Sequence, residues 1–113
     1  MKSNQPSTAI FLDSVKLDEI SEFEWMIKGV TTTPTIFKRE NVDYERFITV
    51  FLERYTTLEL HIESLGATPE DTLKAVENIT SEPWFDASRV VLKIPVSQEN
   101  LKIVKEYSLR GIK

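Results

Sequence analysis

No cysteine occurs among the 113 residues. Its absence excludes disulfides, thiolate zinc sites and cysteine nucleophiles, and it accords with a reducing cytosol. Long apolar runs are missing as well. None approaches the roughly 18 residues of a membrane-spanning helix, and the N-terminus has no apolar signal-peptide core. A cytoplasmic protein without a membrane partner is the expectation. Runs of basic residues are also lacking, with 14 Lys and Arg against 18 Asp and Glu for a net charge of −4. With no aromatic-basic stripe to offset that balance, a nucleic-acid partner is not expected. Glycine is scarce, at three residues. No Gly-rich phosphate loop follows any strand, and no cluster has the spacing of metal ligands.

What is present reads as a globular α/β chain. At 41% hydrophobic and 28% charged, the composition is that of a folded domain. Residues 1–8 read as a polar leader and residues 9–113 as one domain of about four strand-helix units. Ala9-Ile10-Phe11-Leu12 is a short apolar strand ending at Asp13-Ser14. Leu17, Ile20, Phe23 and Ile27 then recur at helical spacing. Gly29-Val30-Thr31-Thr32-Thr33 is a β-branched second strand that stops at Pro34. Val42 to Tyr55 forms the second helix, with Phe47, Ile48, Phe51, Leu52 and Tyr55 on its apolar side.

Leu58 to Glu63 alternates strictly between apolar and polar residues, the period of a strand. Leu58, Leu60 and Ile62 are expected to face helices, which leaves Glu59, His61 and Glu63 on the other side. Thr68 caps a third helix, with Pro69 in the first helical position and acids in the first turn. Arg89 to Val96 is the fourth strand. Ser97 caps a last helix running to about Leu109, and Gly111 closes it. Strands alternating with helices imply right-handed βαβ units and a parallel sheet, either a small open one or half of an eight-unit barrel.

In such folds the chemistry gathers at the carboxyl ends of the strands. Those ends hold Asp13, Thr31 to Thr33, the polar stripe around His61, and Lys93. Lys93 is the most informative of them. It lies within Val90-Val91-Leu92-Lys93-Ile94-Pro95, a run expected to be covered on both faces. A buried ammonium is costly, and desolvation favours the neutral amine that attacks carbonyls. The bland alternative is a lysine at a strand end whose stem is buried and whose head reaches water. Asp13 serves equally as a helix cap or as an acid. A carboxylate, a histidine and a lysine sharing one end of a sheet are a candidate catalytic set.

Phe11-Leu12-Asp13-Ser14, Gly29-Val30-Thr31-Thr32-Thr33-Pro34-Thr35 and Val90-Val91-Leu92-Lys93-Ile94-Pro95 together resemble the transaldolase family, in particular its small single-barrel members and fructose-6-phosphate aldolase. All four units match in order and spacing. The resemblance implies a (β/α)8 barrel of TIM type, of which this chain holds the first half. It also implies transfer of a dihydroxyacetone unit between sugar phosphates in the pentose phosphate pathway, without metal or organic cofactor. Lys93 then resembles the Schiff-base lysine, and Asp13 the strand-one aspartate that moves protons and contacts donor hydroxyls. Thr31 and Thr33 fall among the substrate-binding residues, Thr33 standing where the family usually has Asn. His61 stands where the family usually has Glu or Gln, which helps position a catalytic water. Aldol cleavage without transfer, and a catalytically silent assembly module, are the alternatives. The remainder of the barrel, or further copies of the chain, are the expected protein partners.

Overall fold

The computed structural model describes residues 8–64 and 67–113. Of the polar leader read at 1–8, residues 1–7 lie outside the described part. Four strands and five helices follow in the order β1 (Phe11–Asp13), α1 (Leu17–Phe23), β2 (Gly29–Thr31), α2 (Pro34–Arg39), α3 (Tyr44–Arg54), β3 (Glu59–Glu63), α4 (Pro69–Thr80), β4 (Val90–Lys93) and α5 (Gln98–Leu109). The strand order is β1-β2-β3-β4. Sequential order with a helix in every connection is the βαβ pattern anticipated from the alternation. No helix among the described residues is long and apolar enough to cross a membrane. The chain divides into two compact units, one ending at Leu60 and the other beginning at His61.

In the first unit, β1 and β2 pair in parallel, with Phe11 opposite Gly29, Leu12 opposite Val30 and Asp13 opposite Thr31. Gly29 is required by close approach. A Cβ built there would lie 2.5 Å from the Glu59 carbonyl oxygen, so only hydrogen lets the two backbones come this near. Phe47, Phe51 and Tyr55 recur every fourth residue, which stacks them along one face of α3. Their rings sit 5.8 and 5.2 Å apart, and all three are buried with Ile20, Val30, Ile48 and Leu60. The Tyr55 hydroxyl would be costly here without partners. It donates to the Leu17 carbonyl at 3.0 Å and forms a short hydrogen bond with the Ser21 hydroxyl.

One helix went unforeseen. The second helix was expected to begin at Val42, after a turn at Pro34. Instead Pro34 opens α2, with the Thr33 hydroxyl accepting from the Ile36 N–H at 3.2 Å. Proline at the first helical position gives up only an N–H that the helix leaves unpaired. Asn41 then takes a left-handed φ of 53°, and Val42 N–H returns to the Phe37 carbonyl at 3.0 Å. That double-back separates α2 from α3. α1 ends at Phe23 rather than Ile27. Trp25, just beyond it, is 76% exposed.

The second unit holds a smaller core of Val76, Ile103 and Tyr107, against which Leu73, Leu92, Ile94 and Ile112 pack. Thr68 caps α4 by accepting from the Asp71 N–H at 3.1 Å. Ser97 caps α5 by accepting from Asn100 at 3.0 Å. Gly111 has φ of 82° beyond the end of α5, as the sequence indicated. Trp84 is half-buried, and its Nε1 is shielded from solvent without a hydrogen-bond partner among the described residues.

Candidate active site at the strand ends

Asp13 is the last residue of β1 and Thr31 the last of β2, and the parallel register sets them side by side. The Thr31 hydroxyl donates to Asp13 Oδ1 at 3.2 Å. Asp13 is exposed and Thr31 half-buried. The pair thus presents an exposed carboxylate held at one oxygen by a hydroxyl. Such a group can take or give a proton to a bound molecule. Asp13 is not a helix cap. Lys16 occupies the cap position of α1 and makes no side-chain capping bond. Thr33 lies two residues beyond β2, where its oxygen caps α2. Its hydroxyl proton remains available for donation, because capping uses only the lone pair.

In β3 the burial alternates as expected: Leu60 and Ile62 are buried, while Glu59, His61 and Glu63 are half-buried. The strict period put these polar groups on the face opposite the packed side chains.

Lys93 is the last residue of β4. Here the sequence reading needs correction. The strand was expected to be covered on both faces, yet only Val90 is buried; Val91 and Leu92 are half-buried and Lys93 is exposed. The reason lies in the packing. Leu92 and Ile94 join the core of this unit, so the alternate residues Val91 and Lys93 project from the opposite face of the strand. The lysine is placed at a strand end with its head in solvent, and nothing among the described residues desolvates it.

Two residues that the sequence did not single out hold the backbone at the end of β4, one at Lys93 and one at Pro95. Ser64, directly after β3, donates to the Lys93 carbonyl with both its N–H at 3.0 Å and its hydroxyl at 3.2 Å. Ser64 is only 1% exposed. Asn100, in the first turn of α5, donates from Nδ2 to the Pro95 carbonyl at 3.0 Å. The signal for Ser64 was faint: it is the polar residue that breaks the alternation on its buried side.

The structure therefore groups Asp13 with Thr31 in the first unit and Ser64 with Lys93 in the second. Thr33 serves α2, and His61 stands within β3. No group of three or more His, Asp or Glu among the described residues could hold a metal ion.

The ends of β1, β2 and β4 thus carry Asp13, Thr31 and Lys93, and His61 lies in the middle of β3. Comparison with known proteins makes the class specific. The family model described as Transaldolase/Fructose-6-phosphate aldolase matches residues 10–113, and the chain belongs to that family. It is 34% identical over 110 residues to a probable transaldolase of Alkaliphilus metalliredigens, covering 92% of this chain and 47% of that protein. A probable transaldolase of Moorella thermoacetica is 35% identical over 107 residues, covering 92% and 47%. One from Lactiplantibacillus plantarum is 33% identical over 105 residues, covering 91% and 46%. The chain spans about half the length of the curated relatives it matches.

Proposed function

We propose that this chain carries the nucleophile-bearing half of a class I transaldolase-type enzyme, with Lys93 as the Schiff-base residue. The observation that carries the proposal is the place of Lys93: it ends β4 within Val-Val-Leu-Lys-Ile-Pro, in a chain of the transaldolase family. The neutral amine adds to the ketone carbon of a sugar-phosphate donor, and loss of water leaves an iminium. Cleavage of the neighbouring carbon-carbon bond sends its electron pair into that iminium and releases an aldehyde. Asp13 takes the proton from the donor hydroxyl whose carbon becomes that aldehyde, and returns one on the reverse path. Thr31 holds the Asp13 carboxylate, Thr33 binds a donor hydroxyl and His61 positions water. Transfer follows when the bound three-carbon enamine attacks the carbonyl carbon of a second sugar aldehyde and water hydrolyses the resulting iminium; aldol cleavage follows when the enamine carbon takes a proton instead and water hydrolyses the iminium to free the lysine.

The remainder of a (β/α)8 barrel, or further copies of the chain, would supply the surface that desolvates Lys93 and grips the phosphate. We place this activity in the cytoplasm and in the interconversion of pentose and hexose phosphates. The exposure of Lys93 favours one competing reading, a silent module that serves assembly alone.

A single experiment separates them. The protein is incubated with fructose 6-phosphate or dihydroxyacetone and sodium borohydride, and the peptides are weighed. A stable adduct on Lys93 in the parent chain, lost in Lys93→Ala, is the expected result. Lack of any adduct on Lys93 in a preparation that turns over no sugar phosphate would leave the silent module as the function.

A further inference from the structure

Lys93 sits where the backbone ladder of β4 runs out. Pro95, two residues on, has no N–H to offer a neighbouring strand. What holds the Lys93 carbonyl therefore decides how firmly the last residue of the strand is aimed. That oxygen accepts two bonds from one residue, the N–H and the hydroxyl of Ser64. At 1% exposure, Ser64 is shielded from the water that would otherwise compete for these bonds. On the other side of the lysine, Asn100 Nδ2 holds the Pro95 carbonyl and the Ser97 hydroxyl holds the Asn100 N–H. Asn100 is 7% exposed. Two buried side chains thus clip the backbone immediately before and after the turn that leaves Lys93.

We propose that Ser64 is a positioning residue for Lys93, fixing the peptide plane from which the lysine side chain projects. The proposal rests on the Schiff-base reading of Lys93. A lysine stem has four rotatable bonds, so the direction of its Cα–Cβ bond is the one part of its aim that the fold can set. Addition of an amine to a ketone needs the nitrogen near 3 Å from the carbon and in line with its orbital, and small misplacements are costly. A hydroxyl that locks the carbonyl of the same residue removes the peptide rotation that would swing that bond. The competing explanation is a buried serine that merely satisfies itself on the nearest carbonyl.

Competitive labelling distinguishes the two. The protein is treated with dihydroxyacetone and cyanoborohydride, and each lysine's labelled fraction is read by peptide mass. Lys74 on α4 and Lys105 on α5, both exposed, serve as internal standards. In the parent protein, assembled with the remainder of the barrel or further copies that cover Lys93, that lysine labels in excess of both. In Ser64→Ala that excess falls on the order of tenfold, and in Ser64→Thr, which keeps the hydroxyl, it returns. Thr72→Val supplies the control. Thr72 is fully buried in the same unit, and its hydroxyl donates to the Thr68 carbonyl at 3.1 Å with no bond to β4. This variant is expected to lower the melting temperature without changing the Lys93 excess. An undiminished excess in Ser64→Ala, or an equal loss in Thr72→Val, overturns the positioning role. An assembled parent protein whose Lys93 labels no faster than Lys74 overturns the Schiff-base reading itself, and this inference with it.

Discussion

Several hydroxyl groups in this chain find their partners on backbone carbonyls. Ser64 serves Lys93, Tyr55 serves Leu17 and Thr72 serves Thr68. Each answers the cost of an unpaired polar group away from water. Carboxylates are treated in the same local fashion. Asp86 accepts from the Ser88 hydroxyl at 2.6 Å and from the Ser88 N–H at 2.9 Å, and these bonds, the hydroxyl's first, hold its pKa below the ordinary aspartate value. A carboxyl with a lowered folded pKa contributes stability above its unfolded value, and loses it as the pH falls through the folded one. Ser88→Ala removes the larger cause. The variant is expected to melt below the parent at neutral pH and to converge with it as the pH falls through the folded pKa of Asp86 and the carboxyl becomes protonated in both. Calorimetry across that range checks it, and a constant difference in melting temperature would contradict it. Lys93 shows how far a residue can be read without its surroundings. Its strand and its motif were legible, and a head in water was the bland alternative; that the strand is covered on one face only was not legible. Apolar neighbours report only that a strand has something to pack against, not on how many faces. Ser64 was invisible for a related reason: a serine gains meaning only once its partner, 29 residues away, is known.

Among the elements, caps and close approaches carry most of the specificity. Thr68-Pro69 was recognised as a helix start, and the same dipeptide chemistry at Thr33-Pro34 was passed over. The difference is context. Thr33 ends a run of β-branched residues, so the proline looked like the end of a strand rather than the beginning of α2. Six residues are too few for helical periodicity to correct the impression. The alternation in β3 was fully informative, because one face is buried and period two leaves no ambiguity. Gly29 offers a direct test of the packing between β2 and β3. In Gly29→Ala the new methyl meets the Glu59 carbonyl oxygen at 2.5 Å and the Glu59 Cβ at 2.9 Å, and neither belongs to a freely moving side-chain end. Backbone must shift, at a cost of about 1–3 kcal/mol. Denaturant titration is expected to show a lower midpoint by that amount. A neutral or stabilising alanine would mean that the strands separate more easily than their spacing implies.

Over the whole molecule, the family and the order of units were legible because short motifs at three strand ends recur in a fixed sequence. The division into two units was not, since no composition shift marks the boundary after Leu60. Each unit has its own set of buried side chains, built on α3 in the first and on α4 and α5 in the second. By coincidence of position, each unit also carries one indole: Trp25 in the first, 76% exposed, and Trp84 in the second, half-buried with its nitrogen screened from water. Emission from Trp84 is expected to lie to the blue of that from Trp25 and to resist acrylamide quenching more strongly. The single-tryptophan variants Trp25→Phe and Trp84→Phe would show this directly, and matching quenching constants would refute it. With that contrast, the two chromophores become separate optical gauges, and fluorescence alone can follow the loosening of either unit without an attached dye.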